Sequence, residues 1–266
     1  MMLYRYLGSH AYDTLRDCRF MISRPSKFND SVDCVAKVVG VPDEEMVKRR
    51  YGKDFGFIGT ASQAGYRADE ILAVLNCKNV SAVTPEQFAN AAEKTLSDKD
   101  LLDRNLRVLC LCDADGYPAT DLRMWRRYAG FSGVRIGLEF CYDPEKDPFT
   151  CMRVRYEDEQ AVIDLSTEDG FVRTFDIRRI VTTKTRQWEP EREVRLVTRP
   201  EHCQTVGSLQ FLPFNPEIVR QVDIGFKMRS CESKGLVKML RTRYPHVAIN
   251  RMTYDSFWRR VEYTKV

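Results

Sequence analysis

The chain has 266 residues, 43% of them hydrophobic and 30% charged, a balance that fits one large globular core and excludes extended disorder. Its first residues, MMLYRYLGSHAYD, meet charge too early for a signal peptide, and no apolar run nears the roughly 20 residues that span a bilayer. The expectation is a cytoplasmic protein with no membrane partner, and the formal charge of +4 leaves room for an anionic one. Nine cysteines without regular spacing and three scattered histidines, His10, His202 and His246, give a zinc site little to build from. No metal is expected.

In chain order, Leu3–Tyr6 reads as a short strand, Ser9–Asp17 as a helix and Arg19–Ser23 as a second strand. Arg24–Asp33 (RPSKFNDSVD) is a loop by composition. From Pro42 to Asn105 the spacing turns helical, and its best-marked helix starts at Thr84, with Pro85 in first position and Gln87 three residues after the cap. Arg107–Cys112 is a buried-type strand, and Thr120–Ala129 a helix with Trp125 and Tyr128 on one face. Gly133–Phe140 and Cys151–Tyr156 follow as strands, then a helix over Phe171–Thr182 and a strictly alternating strand Glu193–Thr198. Strands at Ile218–Ile224 and His246–Asn250 flank a helix from Glu232 to Tyr244. The expectation is one α+β domain over residues 1–266, a mixed or antiparallel sheet core carrying a helical insertion at about 42–105. No G-x-G-x-x-G follows a strand, which argues against a Rossmann dehydrogenase.

Four segments hold candidate chemistry. In Lys184–Val197, KTRQWEPEREVRLV, Pro190 should end any helix, after which Glu191, Glu193 and Arg195 share one strand face directed away from the core. Val194 and Leu196 then face inward. Two carboxylates about 7 Å apart on such a face can divide labour, one stabilising positive charge and the other orienting a nucleophile; an exposed face paired with cross-strand charges fits the same pattern. Phe28, Asn29 and Asp30 either fold their own loop or shape a ligand pocket. In MWRRYAGFSGVRIGLEF (124–140), Arg126 and Arg127 suit phosphate or plain solvent, and the glycines imply turns or close backbone approach. In Tyr4-Arg5-Tyr6 the tyrosines take one face and the arginine the other.

Taken in order, LYRY, RPSKFNDSVD, VLCLC, MWRRYAGFSGVRIGLEF, VRY at 154–156, K-x3-W-x2-E-x-E-x-R from Lys184 to Arg195, and VDIGFK at 222–227 resemble a bacterial domain family of unassigned function, often encoded near phage-defence and toxin-like genes. The likeness spans most of the chain outside about 42–105; Ser31 stands where that family usually has proline, and Cys112 where serine is commoner. The same order is distantly similar to ADP-ribosyltransferases. That resemblance implies an ADP-ribosyltransferase-like fold and NAD as substrate. It places Arg5 on the ribose and phosphate, Glu193 as the catalytic carboxylate and Glu191 as the residue orienting the target. Tyr6 or Phe28 would stack on nicotinamide, with Asn29, Trp125 and Tyr128 completing the cofactor-binding set. The acceptor would be nucleic acid or protein, and a toxin or defence effector would have an antitoxin or immunity partner. The serine-threonine-serine or tyrosine motif of a middle strand is missing. Two alternatives stand beside it: a nuclease holding magnesium through Asp30, Asp33, Glu191 and Glu193 with Lys184 nearby, and a non-catalytic binding or sensor module using the Trp125/Tyr128 face.

Overall fold

The computed structural model describes residues 1–51, 84–97, 99–172, 177–255 and 260–266. The protein is mixed α+β with a large, mostly antiparallel sheet. Among the described residues no helix is long and apolar enough to cross a membrane. The chain forms two compact units: residues 1–23, 108–153 and 187–266, and residues 24–107 and 154–186.

In chain order the strands are β1 (Met2–Leu7), β2 (Arg19–Met21), β3 (Ala36–Val39), β4 (Arg107–Cys112), β5 (Val134–Glu139), β6 (Phe149–Arg153), β7 (Arg155–Glu157) and β8 (Ala161–Asp164). They continue as β9 (Thr183–Thr185), β10 (Glu193–Thr198), β11 (Gln204–Val206), β12 (Leu209–Pro213), β13 (Val219–Ile224), β14 (Ala248–Asp255) and β15 (Arg260–Lys265). The first unit is built on an eight-stranded sheet ordered β15-β14-β13-β5-β1-β4-β10-β6. Its β13 and β14 pair in parallel and are joined through the helix Ser230–Arg243, as parallel neighbours require a crossover. A small sheet β11-β12-β2 completes that unit.

The second unit holds the short parallel pairs β3/β8 and β7/β9 and the helices Glu44–Tyr51, Pro85–Ser97, Lys99–Asn105, Glu168–Val172 and Ile177–Thr182. Thr84 caps its helix as the sequence predicts: Gln87 N–H donates to Thr84 Oγ1 at 3.2 Å, and Thr84 N–H to Gln87 Oε1 at 3.0 Å. The expected helical stretch 42–105 is helical wherever it is described beyond its leading loop, and residues 52–83 and 98 lie outside the described residues. The helix expected over Phe171–Thr182 is two short helices ending in β9, with residues 173–176 outside the described set.

Alternation gives the large sheet two unlike faces. Leu3, Leu109, Leu111, Val134, Ile136, Leu138, Val194 and Leu196 line one, and Leu236 and Leu240 of the Ser230–Arg243 helix close over it. Each such aliphatic side chain contributes about 1.5–3 kcal/mol by leaving water. The other face carries Tyr4, Tyr6, Arg135 and Asp223, covered by the helix Pro118–Met124 and the π-helical turn Trp125–Ala129. Gly133 is needed where the chain re-enters β5, because a Cβ there would stand 1.8 Å from the Leu7 carbonyl oxygen.

The polar face is held by Arg135. Its Nε donates to Asp223 Oδ2 at 2.7 Å and its Nη1 lies 3.1 Å from Asp121 Oδ1. The rings of Tyr4 and Tyr263 flank the guanidinium at 4.5 and 4.0 Å. Tyr6 OH donates to Asp121 at 2.5 Å, Tyr263 OH donates to the other oxygen, and Trp125 Nε1 donates to Tyr263 OH at 2.7 Å. Asn250 and Gln221 donate to Asp223. Burial pushes the Asp223 carboxyl above its ordinary value against the pull of Arg135 and these donors. It likewise holds the Tyr6 and Tyr263 phenols in their protonated form, with Asp121 adding to the effect.

Replacing Arg135 by leucine should therefore strand two buried carboxylates and cost about 3–5 kcal/mol at pH 8. An acid whose folded pKa lies above its unfolded value destabilises the fold as pH rises through that interval, which begins at 3.8 for Asp223. Removing the cation widens the interval, so the deficit in urea unfolding should be clearly smaller at pH 5 than at pH 8. An equal deficit at both values would show that the stranded carboxylates are not its origin.

Candidate functional site

Strand β10 begins at Glu193 and buries Val194 and Leu196, as alternation predicts. Two expectations about this segment are corrected. Glu193 and Arg195 do share a face, but that face is internal: Glu193 is 5% exposed and Arg195 0%. The reason is that β10 is covered on both faces, all six of its residues being buried. Arg195 grips the carboxylate at both oxygens, Nε to Oε1 at 2.7 Å and Nη2 to Oε2 at 3.3 Å. Glu191 does not belong to the strand at all. It ends a 3-10 turn, Arg186–Glu191, that contains Pro190, and Arg192 then takes a left-handed φ of 46°. That residue breaks the alternation between the two glutamates.

Glu191 is 3% exposed, and its Oε1 accepts the Tyr128 hydroxyl at 2.8 Å with Arg127 Nε at 3.6 Å. The guanidinium of Arg127 lies 4.0 Å from the Trp188 ring centroid. On the other side of the turn Arg192 lies 3.5 Å over Tyr117 and donates Nε to the Asp113 carbonyl at 2.9 Å. Asp113 N–H returns a bond to the Arg192 carbonyl at 3.0 Å, and its carboxylate accepts Arg153 at 2.7 Å. One corner of the first unit thus gathers a buried carboxylate with two arginine-on-aromatic stacks. Tyr117 is 46% exposed there and the Arg127 side chain 37%, so both remain within reach of a ligand.

The neighbouring thiols are held above their ordinary pKa. Burial, reinforced by Glu193, raises the Cys110 pKa, and burial with Asp121 and Glu191 raises that of Cys112. Both stay protonated.

Arg5 leaves β1 on the apolar side with Leu3, opposite Tyr4 and Tyr6, as the sequence predicts. Its Nη1 donates to the Cys110 carbonyl at 2.5 Å, while its Nε is buried without a hydrogen-bond partner. Arg5 and Glu193 both approach Cys110, the first at its carbonyl and the second at its thiol. Tyr6 and Trp125 are enclosed in the Arg135 network, their rings edge to face at 5.8 Å. Trp125 is core, and Tyr128 packs against the same cluster while its hydroxyl reaches Glu191.

The second unit holds the half-buried Phe28 and the exposed Asn29. There Asp30 organises its own loop, accepting Val32 N–H at 3.1 Å and the Thr185 hydroxyl at 3.3 Å. Asp33 and Lys184 are buried in the same unit. Among the described residues no three His, Cys, Asp or Glu side chains are grouped so as to hold a metal ion.

Sequence reasoning passed over Arg135, Asp121 and Asp223, and over Trp188, Arg192 and Tyr117. For Arg135 and Asp223 a signal existed: a charged residue between apolar neighbours in VRI and VDI, in strands otherwise patterned for burial. Comparison with models of protein families, with curated proteins and with solved structures finds no match.

The Glu193–Arg195 pair gives an asymmetric expectation. Arg195→Met removes the guanidinium from a buried carboxylate and should cost about 3–5 kcal/mol in urea unfolding. Glu193→Gln keeps the shape and one acceptor and should cost less. A loss below about 1 kcal/mol for Arg195→Met, the range of exposed pairs, would mean that the pair does not hold this strand.

Proposed function

We propose that the corner around Glu191 binds NAD and that the protein is an NAD-consuming enzyme of ADP-ribosyltransferase type. In this reading it passes ADP-ribose to a protein or nucleic-acid acceptor, as a toxin or phage-defence effector restrained by an antitoxin or immunity partner. The observation that carries it is a buried carboxylate held by the Tyr128 hydroxyl, with Arg127 at 3.6 Å, in a corner where Arg127 and Arg192 each stack on an aromatic ring. Arginine forks suit a diphosphate, and exposed aromatic faces suit nicotinamide or adenine. Cleaving the nicotinamide–ribose bond builds positive charge on the sugar, as glycoside hydrolysis does, and a fixed carboxylate beside that sugar lowers its energy.

The sequence order resembling ADP-ribosyltransferases supports the same class, with one exchange of roles. Glu191 would meet the ribose, because the charge of Glu193 is already met by Arg195. Glu193 and Arg5 are then positioning residues, one fixing β10 and the other tying β1 to the Cys110 carbonyl. The fold expected of that class belongs to this proposal too. The same saturation of Glu193 favours a second reading, a module that binds a dinucleotide without cleaving it.

Nicotinamide release from NAD, with and without protein, DNA and RNA acceptors, separates these readings. Wild type should turn over, and Glu191→Gln should lower the rate about 10²–10³-fold with the fold intact. Trp188→Ala should raise KM more than it lowers kcat. Calorimetric binding of NAD without turnover would leave the sensor reading, and the absence of both binding and turnover would overturn the proposal.

A further inference from the structure

The apolar side of the sheet, remote in chemistry from the Glu191 corner, contains a cavity of about 220 Å³ within the first unit. Its walls are leucines of β4, β5 and β10 and four phenylalanines. Phe20 and Phe214 stack with centroids 4.5 Å apart, and Phe140 and Phe149 meet at 5.6 Å and 55°. Flat aromatic walls suit a flat ligand. An apolar cavity of about 150 Å³ already takes benzene, so this one has room for a single ring with a short arm.

The rim decides what the arm carries. Glu139 and Asp147 both line the cavity, and no basic residue does. Glu139 is exposed and pairs outward with Arg220 at 2.6 Å, while Asp147 uses Oδ2 to accept Asp143 N–H at 2.8 Å. Two carboxylates and the negative faces of phenylalanine rings favour a cation and oppose an anion. We propose that this cavity is a binding site for a small single-ring aromatic amine, its ring among the phenylalanines and its ammonium at the acidic rim.

Calorimetry on the full chain with 2-phenylethylamine, 2-phenylethanol and phenylacetate tests this. The amine should bind with a Kd on the order of 10⁻⁴ M, typical of a probe of its size. The alcohol should bind about three- to fivefold more weakly, the contribution of an exposed charge pair, and phenylacetate more weakly still. Asp147→Asn keeps an oxygen for Asp143 N–H and should bring the amine down to the level of the alcohol. Ile218→Trp, at a half-buried lining position, should fill the cavity and abolish binding of all three, with folding checked by the thermal transition. Binding of none of the probes by wild type, equal affinity for amine and alcohol, or unchanged binding by folded Ile218→Trp would each overturn the proposal. Should Ile218→Trp fail to fold, the wild-type series and Asp147→Asn still decide it.

Discussion

The guanidinium of Arg135 lies between Asp121 and Asp223 and between the rings of Tyr4 and Tyr263, and so joins β1, β5, β13 and β15 to the helix that covers them. A sheet face bearing a carboxylate and three phenols could not otherwise be closed against a helix that brings a second carboxylate, since each buried polar group costs several kcal/mol when unpaired. With the arginine in place, each carboxylate meets a cation and neutral donors, and each phenol of Tyr6 and Tyr263 finds an acceptor. The helix that brings Asp121 then runs into the turn carrying Trp125, Arg127 and Tyr128. Its docking against the sheet thus sets where Tyr128 meets Glu191. The candidate site inherits its geometry from an ion pair that does not touch it.

The two faces of the sheet divide the work. The apolar face supplies non-directional burial, which tolerates the mixed leucine, isoleucine and phenylalanine walls of the 220 Å³ cavity. The polar face is directional: every member of the Arg135 and Glu193–Arg195 groups has fixed donors and acceptors, and removing one leaves another unmet. Such groups add less stability than a packed apolar core of the same volume would. What they add is position, and that is the property a site for a charged ligand needs.

Where the sequence was legible, a local rule and the tertiary structure agreed. Arg107–Cys112 and Glu193–Thr198 are strands with the predicted bounds because their β-branched and apolar side chains are buried. Thr84 and Gln87 form the predicted reciprocal cap, a motif that depends on four residues alone. What failed was decided elsewhere in the chain. β3, β8 and β9 are three- and four-residue strands whose pairing partners lie over a hundred or some thirty residues away, with no periodicity long enough to register. The burial of Glu193 depended on whether both faces of β10 were covered, which no local pattern encodes.

The sequence E-R-E shows how little separates one reading of a site from another. Had residues 191–193 stayed extended, Glu191 and Glu193 would lie on one strand face beside Arg195, three charges in a row sharing one environment. The left-handed φ of Arg192, a conformation that costs a non-glycine residue on the order of 1 kcal/mol, prevents this. It is held there by two backbone bonds, its N–H to the Glu189 carbonyl and its carbonyl to Asp113 N–H, both at 3.0 Å, with the side chain pinned over Tyr117. One carboxylate is thereby turned into the sheet, where Arg195 neutralises it, and the other is turned toward Tyr128 and Arg127. Strain at a single residue thereby divides two neighbouring glutamates between two sets of partners. That division follows from backbone conformation, which a count of acidic residues at a two-residue spacing cannot contain.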